Sequence, residues 1–331
     1  ITYDEGMIEV LANALPIHEE FKFPGHVNVV TGQLGQVRDA YGSTLNGLFH
    51  MSPNELKFLI SKGWGVGNHS WSHYVYPCQP GLDLFREVVW SKYCLEDMIN
   101  SPVRIFAIPN DLYNYEPVID LVKRYYLACV GIEGAPNRGS FDLYNIANYV
   151  VGSGVIPQRW SEELKTPNLT FDFLKDSWLY ETTHIVRWNV PQDNKNVTPK
   201  YLTERFSKLV EISGGKLWVA KPDDVIDYEL MRRKIYLKNI HIESNSLIFD
   251  IEGEWPVGVL NSFLTLRLSG IGFEGSPRVT YELNNNNNNA AEAFKEKPGL
   301  HQNIEKIVKE SCDWLFTMQL APGYKVKITD G

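Results

Sequence analysis

Trp64-Gly65-Val66-Gly67-Asn68-His69-Ser70-Trp71-Ser72-His73 reads as a short strand, Trp64 to Gly67, that delivers Asn68 and His69 into a segment with a second histidine four positions on. Enzymes built of alternating strands and helices put their site residues where strands end, on loops held by a rigid scaffold. Upstream, Ser52-Pro53-Asn54-Glu55 is a helix start, with Ser as N-cap, Pro in the first turn and Glu closing a capping box. That helix runs through Leu56, Leu59 and Ile60 to a stop at Gly63. Before it, Ile1 to Tyr3 reads as the end of a strand and Met7 to Phe21 as a helix whose Ile8, Leu11, Ala12 and Leu15 share a face. His26 to Val30 reads as the next strand. Downstream come a helix over Leu82–Ile99, a strand over Val103–Ile108, a helix over Pro117–Tyr126 and a strand over Tyr126–Val130. Gly131 to Gly154 reads as an elaborated loop. Trp178–Val186 and Leu217–Ala220 read as further strands, with Tyr201–Ile212 as the helix between them. Such alternation is the pattern of an α/β fold.

Near Arg232 the pattern changes. Ile235–Leu237, Ile240–Ile242, Leu247–Ile251 and Phe263–Leu268 are short alternating strands with no helix between them, which predicts a separate all-β module. The expected division is therefore 1–231 and 232–331. The Asn run at 284–289 reads as a disordered loop within the second part. Beyond it, Ile304, Ile307, Val308, Cys312, Leu315 and Phe316 fit one face of a helix.

Composition narrows the function classes. The 331 residues carry a formal net charge of −8 at pH 7 and no cluster of Lys and Arg, which argues against a nucleic-acid partner. No apolar run is long enough to span a bilayer. Cys78, Cys94, Cys129 and Cys312 have neither metal-like nor redox-like spacing and leave two disulfides or four free thiols open. Ile1-Thr2-Tyr3 reads as a strand already under way, which implies residues upstream, an export signal among them.

The chemistry concentrates at two places. His69 and His73 are spaced to present both imidazoles to one side of a helical turn, as a divalent metal requires, though many surface pairs share that spacing. Asp4-Glu5, at the end of the first strand, offers two carboxylates that can divide their work, one facing a metal and one holding a proton. Two imidazoles and a carboxylate leave positions open for water and substrate, as in a catalytic metal site.

Thr2-Tyr3-Asp4-Glu5-Gly6 resembles the TFDDG motif of the polysaccharide deacetylases, carbohydrate esterase family 4. Gly67-Asn68-His69-Ser70-Trp71-Ser72-His73 resembles their H(S/T)xxH motif. Trp178 to His184 resembles the late strand that brings their catalytic histidine, and the likeness runs over roughly residues 1–230. It implies a distorted (β/α)7-type barrel with the all-β, sandwich-like module following it. By the same resemblance Glu5, His69 and His73 hold a divalent metal, Zn2+ first, with Co2+, Ni2+, Fe2+ and Mn2+ as alternatives. Asp4 is the implied general base and His184 the general acid. The backbone N–H of Asn110 lies where the family places an oxyanion donor. The implied reaction is removal of N- or O-acetyl groups from a glycan, at a secreted, periplasmic or cell-surface location. Trp71, Tyr74, Tyr113 and Tyr115 sit in loops next to the implied ligands, where aromatic faces grip sugars; Trp71 and Tyr113 are the substrate candidates.

Three departures stand out. Glu5 replaces the family's Asp. Ala107, in Phe106-Ala107-Ile108-Pro109-Asn110-Asp111, replaces the Arg that would pair with the base; Arg104, Arg138 and Arg187 are candidates to substitute. The stretch that orients the acid histidine is absent, with Asp142 in the corresponding part of the chain. These departures keep open a cyclic-amide (allantoinase-like) hydrolase of the same fold, or a glycan-binding relative without catalysis.

Overall fold

A computed structural model describes residues 1–39, 45–75, 82–111, 115–131, 134–151, 169–188, 197–269, 277–283, 304–310, 313–319 and 324–329. The chain divides into two compact units, Ile1–Asp223 and Asp224–Gly331.

The first unit is a barrel. Its strands are β1 (Thr2–Glu5), β2 (His26–Val29), β3 (Gly65–Asn68), β4 (Ile105–Ala107), β5 (Ala128–Val130), β7 (Tyr149–Val150) and β9 (Glu181–Thr183). They form one parallel sheet in the order β5-β4-β3-β2-β1-β9-β7. The ring closes through the segment that ends in β7. Ile146 bridges Val130, with its N–H on the Cys129 carbonyl at 2.9 Å, while Tyr149 and Val151 donate to the carbonyls of Tyr180 and Thr182 at 2.9 and 2.8 Å. This is the distorted seven-strand barrel the resemblance implies. The segment 131–154, read above as a loop, therefore contributes a stave and also the short strand β6 (Asn137–Arg138), which pairs with β8 (Ser177–Trp178). Its Gly and Asn content hid two-residue strands too brief to show a period.

Helices cover the barrel: α1 (Leu15–Phe21), α2 (Pro53–Ser61), α3 (Ser91–Ile99), α4 (Glu116–Tyr125), the single turn α5 (Phe171–Leu174) and α6 (Pro199–Ser213). The start of α2 is the expected capping box. Ser52 Oγ accepts from the Glu55 N–H, and Glu55 Oε2 accepts from the Ser52 N–H at 2.6 Å. Leu56 and Leu59 then face the core, fully buried. Leu217–Ala220, expected as a strand, is not a strand among the described residues. It joins α6 to α7 (Pro222–Lys234), and Leu217 packs on the core instead. Cys94 and Cys129 are free thiols, and Cys78 and Cys312 lie outside the described residues.

One core feature sets an acid limit. His18 is buried against Tyr3, Trp64 and Phe206, with Tyr3 Oη 2.8 Å from Nε2 and Nδ1 donating to the Phe23 carbonyl at 2.9 Å. Burial pushes its pKa down to about 3. A histidine lowered from 6.5 takes up its proton only on unfolding, so its contribution to stability is complete above pH 6.5 and is lost as pH falls toward 3. The expected slope is at most about 1.4 kcal/mol per pH unit from this residue. Urea unfolding across pH 3–7 checks it, and His18→Leu should flatten the curve.

The second unit carries two antiparallel sheets. One is β10-β11-β16-β13, from β10 (Ile235–Glu243), β11 (Ser246–Gly253), β16 (Tyr324–Thr329) and β13 (Arg278–Leu283). The other is β12-β15-β14, from β12 (Phe263–Ser269), β15 (Asp313–Gln319) and β14 (Ile304–Glu310). The two expected strands 235–237 and 240–242 are one strand, β10, interrupted by a register shift between Lys238 and His241. Leu247, Phe249, Ile251, Val326 and Ile328 build its core with Met231 of α7 and Leu264 of β12. The helix expected over Ile304–Phe316 is instead β14 and β15, paired from Glu310↔Asp313 to Ile304↔Met318. Pairing of β15 with β12 overrides a local apolar spacing that fitted 3.6 as well as 2. The Asn run lies outside the described residues.

Candidate active site

Parallel register brings the candidate residues to one end of the barrel. Asp4 is level with Asn28, Val29 with Glu5 on one side and Asn68 on the other, and Asn68 with Phe106. Tyr3 is level with Thr183, so one step further Asp4 and His184 leave neighbouring strands together. This is the C-terminal rim, where barrels of this kind carry chemistry.

At that rim the backbone is strained. Glu5, Ser70, His73 and Asn110 all adopt left-handed φ values, between 57° and 69°. For a residue with a Cβ this conformation costs roughly 1–3 kcal/mol and persists only where the surroundings enforce it. They do so at Glu5: His50 Nδ1 donates to its carbonyl at 2.8 Å, and Met51 N–H holds the Gly6 carbonyl at 2.9 Å. His69 and His73 do not share a helical turn as expected. They flank a bend, reversed at Ser70 and clamped by buried Glu87, whose two oxygens accept from Ser72 N–H and Oγ at 2.8 Å each. Ser70 Oγ accepts from His73 N–H at 2.9 Å.

The bend still brings the two rings together, with centroids 4.9 Å apart. His69 Nδ1 lies 2.8 Å from the Ala107 carbonyl. A carbonyl only accepts, so Nδ1 carries the hydrogen and Nε2 keeps its lone pair, the arrangement of a metal-binding imidazole with its outer partner. Glu5 Oε1 lies 3.7 Å from His73 Nε2, and Glu5 Oε2 lies 2.9 Å from Arg38 Nη2 within a buried ion pair. Arg38 is itself fixed through Gln33 Oε1 at 2.9 Å. Two donors on one tetrahedral ion sit roughly 3.3 Å apart, so Glu5 and His73 stand a few tenths of an ångström wide of ligation. Among the described residues no three His, Cys, Asp or Glu side chains already form a closed metal cage. The donor types, two imidazoles and a carboxylate, nevertheless fit a divalent cation.

Asp4 is only partly buried, and its Oδ1 accepts from Asn28 Nδ2 at 2.8 Å. His184 is half-buried just beyond β9. Asn110 is exposed, with Nδ2 3.4 Å from the His73 carbonyl. Trp71 stands beside the bend with its N–H on the Glu87 carbonyl at 3.1 Å. Tyr113 lies outside the described residues. Of the arginines weighed as substitutes, Arg104 reaches Asp223 and Arg138 donates to the carbonyls of Phe173 and Lys175. Asp142 accepts from the Tyr144 N–H within its own turn. Arg38, Asn28 and Glu87 hold the site yet belong to no motif read above; only the strand position of Asn28, level with Asp4, could have marked one of them.

The polysaccharide deacetylase family model matches residues 1–128. Over these 128 residues the chain is similar to the polysaccharide deacetylases. Among solved structures, the chain is similar to a family 4 carbohydrate esterase from Bacillus anthracis at 16% identity, covering 68% of this chain and 80% of that one, TM-score 0.38. It is similar to IcaB from Ammonifex degensii at 20% identity, covering 40% and 58%, TM-score 0.34. It is also similar to the Bacillus cereus polysaccharide deacetylase BC0361 at 21% identity, covering 44% of each chain, TM-score 0.34. The chain thus spans about half the length of the latter two. No curated protein sequence matches it. Among the described residues no helix is long and apolar enough to cross a membrane.

Proposed function

We propose that this protein is a polysaccharide deacetylase, a metal-dependent hydrolase that removes acetyl groups from a glycan. The observation that carries the reading is the Glu5 carboxylate 3.7 Å from His73, whose ring packs on that of His69, at the rim that also holds Asp4. Glu5 through Oε1, His69 through Nε2 and His73 would hold the cation, Zn2+ first and Co2+, Ni2+, Fe2+ or Mn2+ otherwise. When bound, it supplies a water acidified to a pKa of about 7 and a Lewis acid for the acetyl carbonyl.

The chain's own groups do the rest. Asp4, fixed by Asn28, takes the proton of the attacking water. The Asn110 backbone N–H would donate to the oxygen on which negative charge develops. His184, one residue past the strand beside β1, returns a proton to the departing amine or alcohol. Trp71 would offer a face to the sugar. Arg38 accounts for glutamate where the family has aspartate: the longer side chain reaches a buried cation with one oxygen and keeps the other for His73. Polymeric acetylated glycans lie outside the cytoplasm, so the proposal includes a secreted, periplasmic or cell-surface location.

The test is acetate release from acetylated chitooligosaccharide and acetylated xylan by zinc-loaded protein. Asp4→Asn should lower kcat by about 10²–10⁴-fold, the usual worth of a positioned base. Unchanged acetate release in that variant would remove Asp4 from the mechanism.

A further inference from the structure

Ala107 leaves the base without the arginine the family resemblance expects, and the space beneath Asp4 is filled by a different set of polar groups. His26 and Asn28 are two apart on β2, hence on one face, and both are fully buried. Directly opposite on β3 stand Gly65, level with His26, and Gly67, level with Asn28. A methyl group on Gly67 would collide with the Asn28 amide oxygen and His26 Nε2, and one on Gly65 with His26 Nδ1 and Asp223 Oδ2. The glycines thus make the room that the two side chains occupy.

The contacts run in a line. Asn28 Nδ2 donates to Asp4 Oδ1 at 2.8 Å, and Asn28 Oδ1 lies 3.0 Å from His26 Nε2. His26 Nδ1 lies 3.5 Å from Asp223 Oδ2, and Asp223 Oδ1 accepts from Arg104 Nη2 at 3.2 Å. Chemistry fixes the direction. An ionised carboxylate only accepts, so Asn28 must turn its NH2 to Asp4 and its oxygen to His26. That oxygen also only accepts, so His26 Nε2 carries a hydrogen and donates it. Burial alone would raise the Asp223 carboxyl, but His26 and Arg104 hold it below the usual range. It therefore stands as the buried anion at the far end, its Oδ2 3.5 Å from His26 Nδ1 with no hydrogen bond between them.

Resting on the deacetylase reading, we infer that Asn28 and His26 are positioning residues for the base. The line Arg104–Asp223–His26–Asn28 does, through a neutral amide, the work of the arginine missing at Ala107. Asp4 gains a fixed hydrogen-bond donor that points its other oxygen at the water, while the compensating cation stays at the far end of the line.

The test compares acetate release and zinc content in wild type, Asn28→Leu, His26→Leu and His26→Gln. Asn28→Leu should lower kcat about 10–100-fold, as removal of an orienting partner does, with KM and zinc content nearly unchanged. His26→Leu should behave alike, while His26→Gln, which keeps an N–H for the Asn28 oxygen, should recover most of the loss. Equal losses in the two His26 variants, normal kcat in Asn28→Leu, or loss of zinc would overturn the inference. A second measurement needs no substrate: the His26 Nε2–H should appear in 15N–1H spectra of the wild type as a slowly exchanging signal, absent in His26→Gln and shifted in Asp4→Ala. Absence of that signal from an active enzyme overturns the line and spares the deacetylase reading. A wild type that shows the signal and releases no acetate overturns that reading, and with it the role assigned to Asn28 and His26.

Discussion

Glu5→Gln is expected to lose zinc and, with it, acetate release, while the barrel remains folded. Gln keeps the length of Glu5 and an oxygen to accept from Arg38 Nη2, which now stands 2.9 Å from Glu5 Oε2. What it gives up is the charge that a cation needs beside two neutral imidazoles. Loss of a group that merely orients a ligand weakens metal binding or activity about 10–100-fold, so loss of a ligand itself should exceed about 100-fold. Zinc content after dialysis, measured beside acetate release, reads both. Glu5→Ala would confuse the result, because it also opens a cavity and takes from buried Arg38 the oxygen beside it.

Arg38→Met is expected to have the second large effect, and one that metal reverses. Arg38 and Glu5 are both buried, and removing one member of such a pair costs about 3–5 kcal/mol because the other keeps a buried charge without that counter-ion. In chelator the variant should lose about that much stability to urea. Zinc takes over the neutralisation of Glu5, so its addition should stabilise the variant more than the wild type. By the same linkage the variant should bind zinc more tightly, since Arg38 and the cation compete for one carboxylate. An equal zinc increment in both proteins would separate Arg38 from the metal site.

The sequence made much of the barrel legible, for physical reasons. Alternation of strand and helix survives in short elements because strands such as β2 and β3 are wholly buried and helices such as α2 and α4 have one apolar face, and Ser52 to Glu55 carries its capping chemistry locally. The stave at Tyr149–Val150 was not legible, since its pairing comes from Tyr180 and Thr182, distant in the chain. Nor were β14 and β15, where apolar residues fit two periods and a third strand decides between them.

The site divides in the same way. Glu5, His69 and His73 are visible as motif residues, and the structure brings them to one rim. The bend between the histidines is not visible: it depends on Glu87, fifteen positions past Ser72, which no spacing rule connects to it. Arg38 is likewise hidden, a cation in an unremarkable loop that folding carries onto Glu5. Asn28 and His26 read from sequence as ordinary strand residues, and only the glycines across from them on β3 reveal why two polar side chains fit there.

Zinc-edge anomalous diffraction from zinc-soaked crystals tests the shared cation most directly. A single strong peak is expected within about 2.0–2.2 Å of Glu5 Oε1, His69 Nε2 and the nearer ring nitrogen of His73, with Arg38 still on Glu5 Oε2. A peak elsewhere, or one held by the two histidines while Glu5 stays wholly with Arg38, would contradict the account.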